Sequence, residues 1–299
     1  MNKEGFEIRL AEAGDLEALK AIWKLSFGDE DKLIDLYFQS RDWLSEVMVL
    51  VCDRRVASML TMIPTDIAGA DGGRQKASML FAIATHPDFR NRGFADRLIE
   101  YSNRYQKENN VLITLLVPAG ESLFRYYTKF GYRNGFFVRE TELDRSEIYK
   151  LGGKAPGCRI LSIGPEEYNR RRRMLLAEHD YLDYRDAETS FQKKIGSIYD
   201  SDLLAIKTGK TEGCAYYERI SDEAVLVKEL LIPEPFLAEA LTGLSEHLPF
   251  QKIIIRTPPW LGESLGGTVR AFGMIRYNGE DSVQEEHENR LPYLGIAFD

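Results

Sequence analysis

The chain has 299 residues, 44% of them hydrophobic and 29% charged, with a formal net charge of -8. That length suits about two domains of ordinary globular composition. The acidic balance argues against bulk nucleic-acid binding, which needs a basic face, and mildly favours a cationic partner.

Residues 1–5 are polar and no apolar core follows them, so no signal peptide is expected. No apolar run reaches the ~18–20 residues that span a bilayer, and no membrane association is expected. Cys52, Cys158 and Cys214 lie far apart and form no CxxC pair, so neither a disulfide framework nor a metal site is expected. The simplest location is the cytoplasm.

In chain order, Phe6, Ile8 and Leu10 alternate as in a strand. Gly14 and Asp15 then open a helix on which Leu16, Leu19, Ile22 and Trp23 recur at helical spacing. A second helical patch holds Leu33, Leu36 and Tyr37. Two β runs, 47–52 and 56–63, follow. A third, 77–85, is apolar on both faces, as a central strand should be. A long helix is predicted over 94–109, a buried strand over 111–117, and a short helix over 121–130 stopped by Gly131. Strand material near 135–140 closes the first half, and the Gly-rich stretch 150–157 is the best linker.

The second half repeats this plan. Strand-like runs at 203–207, 213–219 and 224–232 match the three of the first half. Gly120-Glu121-Ser122-Leu123 is echoed by Gly262-Glu263-Ser264-Leu265, and Phe130-Gly131 by Phe272-Gly273, at one common offset. Two echoes in one register, with the same order of elements, indicate an internal duplication. The domains expected are 1–150 and 151–299.

The chemistry concentrates after Thr85. The chain reads His86-Pro87-Asp88-Phe89-Arg90-Asn91-Arg92-Gly93-Phe94-Ala95 and then runs into a helix. A strand, a turn and a helix start leave free backbone N–H groups at the positive end of the helix dipole, which suits a diphosphate. Gly93 allows close approach, Ala95 keeps the packing behind it small, and Arg90 and Arg92 add positive charge. The plain alternative is a surface turn with two arginines. His86 reads as a turn histidine.

The pattern R-x-x-G-x-A between a strand and a helix resembles the acetyl-CoA signature of the GNAT N-acetyltransferase superfamily. Tyr126-Tyr127-Thr128-Lys129-Phe130-Gly131-Tyr132 resembles that family's aromatic-Tyr-x-Lys-x-Gly-aromatic segment. The resemblance covers about residues 6–145. It implies an α/β (α+β) protein of two tandem GNAT-like units, each a mixed twisted sheet flanked by helices, the second degenerate. It also implies an acetyl-CoA-dependent N-acetyltransferase acting on a primary amine of a small molecule or peptide, by direct attack in a ternary complex.

By the same resemblance, Asn91, Arg92, Gly93, Phe94, Ala95 and Asp96 form the pyrophosphate loop, with Arg90 beside it. The backbone of Ile83, Ala84 and Thr85 pairs with the pantetheine arm, and Ser122 is a further cofactor contact. Tyr127 is the general acid that protonates the departing thiolate. The competing reading of Tyr127 is ordinary core, since Leu123, Tyr126 and Phe130 share its helix face, and Tyr126 takes the role if the register slips by one.

At the common offset Phe94 corresponds to Phe236, and only Glu234-Pro235 stand where the first half has residues 88–93. Proline has no N–H to donate and glutamate repels phosphate, so the second loop has lost the site. Val269 falls at the Tyr127 position. The second half is therefore expected to keep the scaffold and wall the acceptor pocket.

An active first unit beside a degenerate second resembles the Eis-like branch of the superfamily, without the sterol-carrier-like third domain usual there. That branch uses a terminal carboxylate in its site, which raises Asp299 as a candidate; the alternative is a final strand that stops at the surface. A general base is expected to be a carboxylate of the second half such as Glu229, or water. The run Arg170–Arg173 reads as a solvated helix face. The alternatives to the enzyme are an acetyl-CoA sensor without catalysis and an aminoacyl transferase of the tandem type.

Overall fold

A computed structural model describes residues 5–151, 157–209, 211–279 and 291–298. The first half runs β1 (Phe6–Leu10), α1 (Leu16–Phe27), α2 (Asp31–Ser40), α3 (Trp43–Glu46), β2 (Val47–Cys52), β3 (Arg55–Ala68), β4 (Arg74–Thr85), α4 (Phe94–Glu108), β5 (Ile113–Leu116), α5 (Glu121–Thr128), β6 (Arg133–Asp144) and α6 (Arg145–Lys150). The second runs β7 (Arg159–Ser162), α7 (Pro165–Leu175), β8 (Tyr181–Asp183), α8 (Asp186–Ile195), β9 (Ser201–Thr208), β10 (Thr211–Arg219), β11 (Ala224–Leu231), α9 (Leu237–His247), β12 (Lys252–Thr257) and β13 (Thr268–Tyr277). This is the expected mixed α/β architecture, a twisted sheet flanked by helices. Most of the expected linker, 152–156, and the candidate Asp299 lie outside the described residues. Among the described residues, no helix is long and apolar enough to cross a membrane.

The strands form one sheet in the order β1-β2-β3-β4-β5-β13-β6-β12-β11-β10-β9-β7, with β8 added alongside β3. The centre of that order was not legible in the sequence. β13 lies between β5 and β6, and β6 lies between β13 and β12. Each half thus places its last strand next to the other half's penultimate one. Gly135 makes the exchange possible. A Cβ there would stand 2.2 Å from Ile275 Cγ2.

Two cores cover the sheet of the first half. On one face Phe94, Leu98 and Ile99 of α4 pack with Leu60, Leu80, Tyr127 and Met274. On the other, Leu19, Ile22 and Trp23 of α1 pack with Val49, Met79, Phe136 and Phe298, and this cluster continues under α7 and α8 of the second half. Burial of such side chains contributes roughly 1.5–3 kcal/mol each, so the shared cluster holds the halves together. A third cluster lies beneath α9.

The echo between the halves is kept in part. Phe236 precedes α9 as Phe94 opens α4. Past β12 the common offset fails. Gly120 is extended at the start of α5, whereas Gly262 is left-handed (φ +83°) before a single 3-10 turn, Glu263–Leu265. Phe130-Gly131 end a helix, but Phe272-Gly273 lie within β13. Val269 is an exposed residue of β13 opposite Arg139, not the counterpart of Tyr127. Left-handed Gly266 and Gly267 close the chain into a strand before a helix can form.

The arginine run also departs from expectation. Arg171 and Arg172 of α7 are buried, not solvated. Arg171 meets Glu167 (2.8 Å) and Glu212 (3.1 Å). Arg172 pairs with Glu229 (2.8 Å) and donates to the carbonyls of Leu182 and Leu294. Buried guanidinium is tolerated only with such partners, and apart from Glu167 the carboxylates lie far off in the sequence.

Candidate active site

β4 and β5 run parallel only as far as Leu80 and Leu116. Beyond that point they part. β4 carries a bulge against β3 near Phe81, with Ala82 at φ +47°, and its last residues keep only their β3 neighbours. His86 N donates to Ala57 O, and Ala84 O accepts from Ser58 Oγ (2.7 Å). Alternation along the strand then turns Ile83 and Thr85 towards the open edge and Ala84 towards β3. The expected trio therefore splits: Ile83 and Thr85 turn to the open edge, where Thr85 O accepts from Arg90 Nε, and Ala84 turns to β3.

The chain after Thr85 makes one 3-10 turn, Pro87–Phe89, capped by His86 Nδ1 accepting from Asp88 N (3.2 Å). Asn91 (φ +61°) and Gly93 (φ +71°) are both left-handed. Alternating handedness of this kind folds successive N–H groups into an anion-binding concavity. Gly93 is the N-cap of α4 and no side chain caps that helix. The first-turn amides, from Phe94 to Asp96, are left for a ligand or solvent. A Cβ on Gly93 would meet nothing within 4 Å, so the φ angle, not space, calls for glycine.

The side chains of this turn are less free than the motif suggests. Arg90 Nε donates to Thr85 O (3.2 Å). Arg92 lies over the rings of Phe94 (4.7 Å) and Phe89 (5.6 Å). Asp96 accepts from Tyr126 Oη (2.6 Å), which ties the start of α4 to α5. Ser122 is exposed on the first turn of α5 and is not brought to the cavity.

A cavity of about 960 Å³ fills the gap between the parted strands. On the α4 and α5 side Tyr127, Leu123 and Phe124 line it; on the α1 side Phe27, Phe81 and Phe298 do. It thus passes through the sheet. Tyr127 is 8% exposed and lines this space. Burial pushes that phenol up to about 12. It is a weak acid that keeps its proton at neutral pH and faces open space. Tyr126, by contrast, is held by Asp96; burial first, then that carboxylate, push its ionisation upward.

The sequence led us to expect a wall from the second half but did not name the residues that form it. Arg256 of β12 and Arg270 and Phe272 of β13 line the cavity. Glu140 of β6 lies directly opposite Arg256 and joins both guanidiniums, at 2.9 Å to Arg256 Nε and 2.6 Å to Arg270 Nη2. Desolvation raises the Glu140 pKa, but the two arginines outweigh it and hold the carboxyl below its usual range. No local motif marks these residues; the strand exchange alone assembles them. The candidate base Glu229 is absent from the cavity wall. It is wholly buried, bonded to Arg172 and to Tyr168 Oη (2.6 Å). It is a structural ion pair and not a proton acceptor for substrate.

A passage through a sheet, with peptide groups on one wall and a protonated phenol on another, suits a thioester laid along a strand and met from the far side. That is the arrangement of an acyltransferase. Residues 7–135 match the family described as acetyltransferase (GNAT) domain. Similar solved structures share the fold over nearly the whole chain. A GCN5-related N-acetyltransferase from Anabaena variabilis ATCC 29413 is 17% identical, over 92% of this chain and 73% of that one, with TM-score 0.74. A probable N-acyltransferase from Enterococcus faecalis V583, a conserved protein of unknown function, is 15% identical, over 91% and 72%, with TM-score 0.74. Eis1 from Mycobacterium abscessus is 12% identical, over 94% and 75%, with TM-score 0.69. No curated protein matches the sequence.

Proposed function

We propose that this protein transfers the acetyl group of acetyl-CoA to a primary amine of a small-molecule or peptide acceptor, in a ternary complex. The observation that carries the reading is the cavity through the sheet, bordered by the open β4 edge and by Tyr127. In this reading the pyrophosphate meets the amides from Asn91 to Asp96, and the pantetheine arm pairs with Ile83 and Thr85. The neutral amine attacks the thioester carbon from the α1 side. The C–N bond forms, the C–S bond breaks, Tyr127 protonates the leaving sulfur, and the proton lost from nitrogen passes through water to restore the phenol. Products are the N-acetyl amine and free coenzyme A.

The second half, residues 151–299, serves as a unit without cofactor chemistry that completes the acceptor wall. Pro235 and Glu234 at its loop support this, because Glu234 already accepts from the amides of Gly262 and Ser264. The tandem, Eis-like organisation is part of the same proposal, supported by the likeness in fold to Eis1. An aminoacyl transferase has no need of the uncapped turn at Gly93, and a sensor has no need of a passage reaching both faces of the sheet.

Calorimetry with acetyl-CoA tests the claim. The parent protein binds, and Gly93→Pro, which cannot adopt φ +71°, loses about tenfold or more in affinity. Absence of binding by the parent overturns it.

A further inference from the structure

The passage through the sheet has a side chamber on the α1 side. A space of about 260 Å³ opens between α1, α2 and α8, walled by Trp23 and Phe27 of α1, Phe81 of β4, Phe191 of α8, and Phe298. Phe27, Phe81, Ala82 and Phe298 border both this chamber and the main cavity. Ala82 sits at the β4 bulge, so the two spaces join where β4 parts from β5. Trp23, Phe191 and Phe298 belong to the core cluster shared by the two halves, so the chamber is built from both.

The walls are aromatic, and the polar side chains beside them have partners. Phe81 meets Trp23 (5.5 Å, 71°) and Phe298 (5.6 Å, 61°) edge to face. Phe298 stacks on Phe191, 5.7 Å between centroids and 2° between planes. Trp23 Nε1 donates to Asp29 (2.7 Å). Tyr216 Oη lies 2.8 Å from Glu218 and 3.2 Å from Gln192, and Lys228 pairs with Glu218 (3.3 Å). A strongly hydrated guest would exchange its water for ring faces here, and burying polar groups without partners is unfavourable. An apolar guest gains from burial of its surface, and an aromatic one adds ring-to-ring contacts. About 150 Å³ of apolar space holds one benzene ring. The chamber has room for one ring and a short linker, and not for an oligosaccharide.

We infer that the acceptor is an arylalkylamine. Its ring enters the chamber among Trp23, Phe81 and Phe298, and its amino group stays in the passage, where it meets the thioester from the α1 side. This rests on the acetyl-transfer reading above and narrows its acceptor.

The test compares initial rates with saturating acetyl-CoA on phenylethylamine, hexylamine, ethylamine and spermidine. Phenylethylamine should exceed ethylamine in kcat/KM by about tenfold to a hundredfold, the range for burying one aromatic ring, with hexylamine between them. Leu33 of α2 and Ile195 of α8 line the chamber but not the main cavity, and both are partly exposed. Ile195→Trp fills the chamber from its rim and should reduce the preference for phenylethylamine by about tenfold or more, through KM more than kcat. Leu33→Trp should do the same from α2, and acetyl-CoA binding reports that each variant has folded. A preference that survives both variants overturns the inference, as does equal or better use of hexylamine, ethylamine or spermidine by the parent. Hexanoyl-CoA is run as a donor beside acetyl-CoA. If Ile195→Trp penalises hexanoyl-CoA and spares phenylethylamine, the chamber belongs to the acyl chain and the inference is wrong. Acetyl-CoA binding without turnover of phenylethylamine also overturns it, whereas failure to bind acetyl-CoA strikes the underlying reading.

Discussion

Replacing Tyr127 by phenylalanine removes one oxygen and little else. The ring packs 5.1 Å from Tyr126 and 6.1 Å from Tyr132, and both contacts survive in phenylalanine. Burial, with no hydrogen-bonding neighbour, accounts for the hydroxyl's raised pKa, so its loss orphans no buried polar partner among the described residues. Stability should change by less than about 0.5–1 kcal/mol. If the phenol protonates the leaving thiolate, kcat should fall by about 10²–10⁴, or ~3–5 kcal/mol of barrier, with acetyl-CoA affinity unchanged. Tyr126→Phe is the control, because it breaks the bond to Asp96 at the start of α4. It should weaken cofactor binding a few-fold and spare kcat.

The acid must be protonated to act. With its pKa raised from 10 to about 12, activity should not decline on the alkaline side until the pH rises through about 12. Release of free thiol from acetyl-CoA, followed from pH 7 to 10.5, measures all of this. A Tyr127→Phe enzyme with the parent's kcat refutes the argument. A loss of kcat confined to Tyr126→Phe transfers the role to Tyr126.

Other expectations concern the scaffold. Glu229→Gln leaves Arg172 buried without its counter-charge, so thermal unfolding should report a loss of about 3–5 kcal/mol. A large fall in kcat with an unchanged melting temperature would instead return Glu229 to candidacy as a base. Gly135→Val should prevent β6 from lying against Ile275, and limited proteolysis should then cut both halves. A variant as resistant as the parent would show that the strand exchange tolerates a side chain there.

Much of the first half could be read directly, because its signals are local. Alternation in Phe6, Ile8 and Leu10, the helical spacing of Leu19, Ile22 and Trp23, and the left-handed demand at Gly93 each act within a few residues. The direction of a peptide group is already less local. Ala84 turns to β3 because of the Phe81–Ala82 bulge, which no composition signals. The echo between the halves misled past β12, because similarity of letters does not survive a change from helix to strand. Phe272 entered β13 while Phe130 stayed at the end of a helix.

The sequence by itself determined most elements of the first half and the left-handed turn from Arg90 through Gly93 to the start of α4, since backbone conformation and capping are settled by neighbours along the chain. Only the tertiary structure decided which residues of the second half reach the cavity. Glu140, Arg256 and Arg270 come from three strands, and meet only because β6 and β13 cross between the halves. Such pairings depend on long-range packing, such as the room left by Gly135, and leave no periodic mark in the chain.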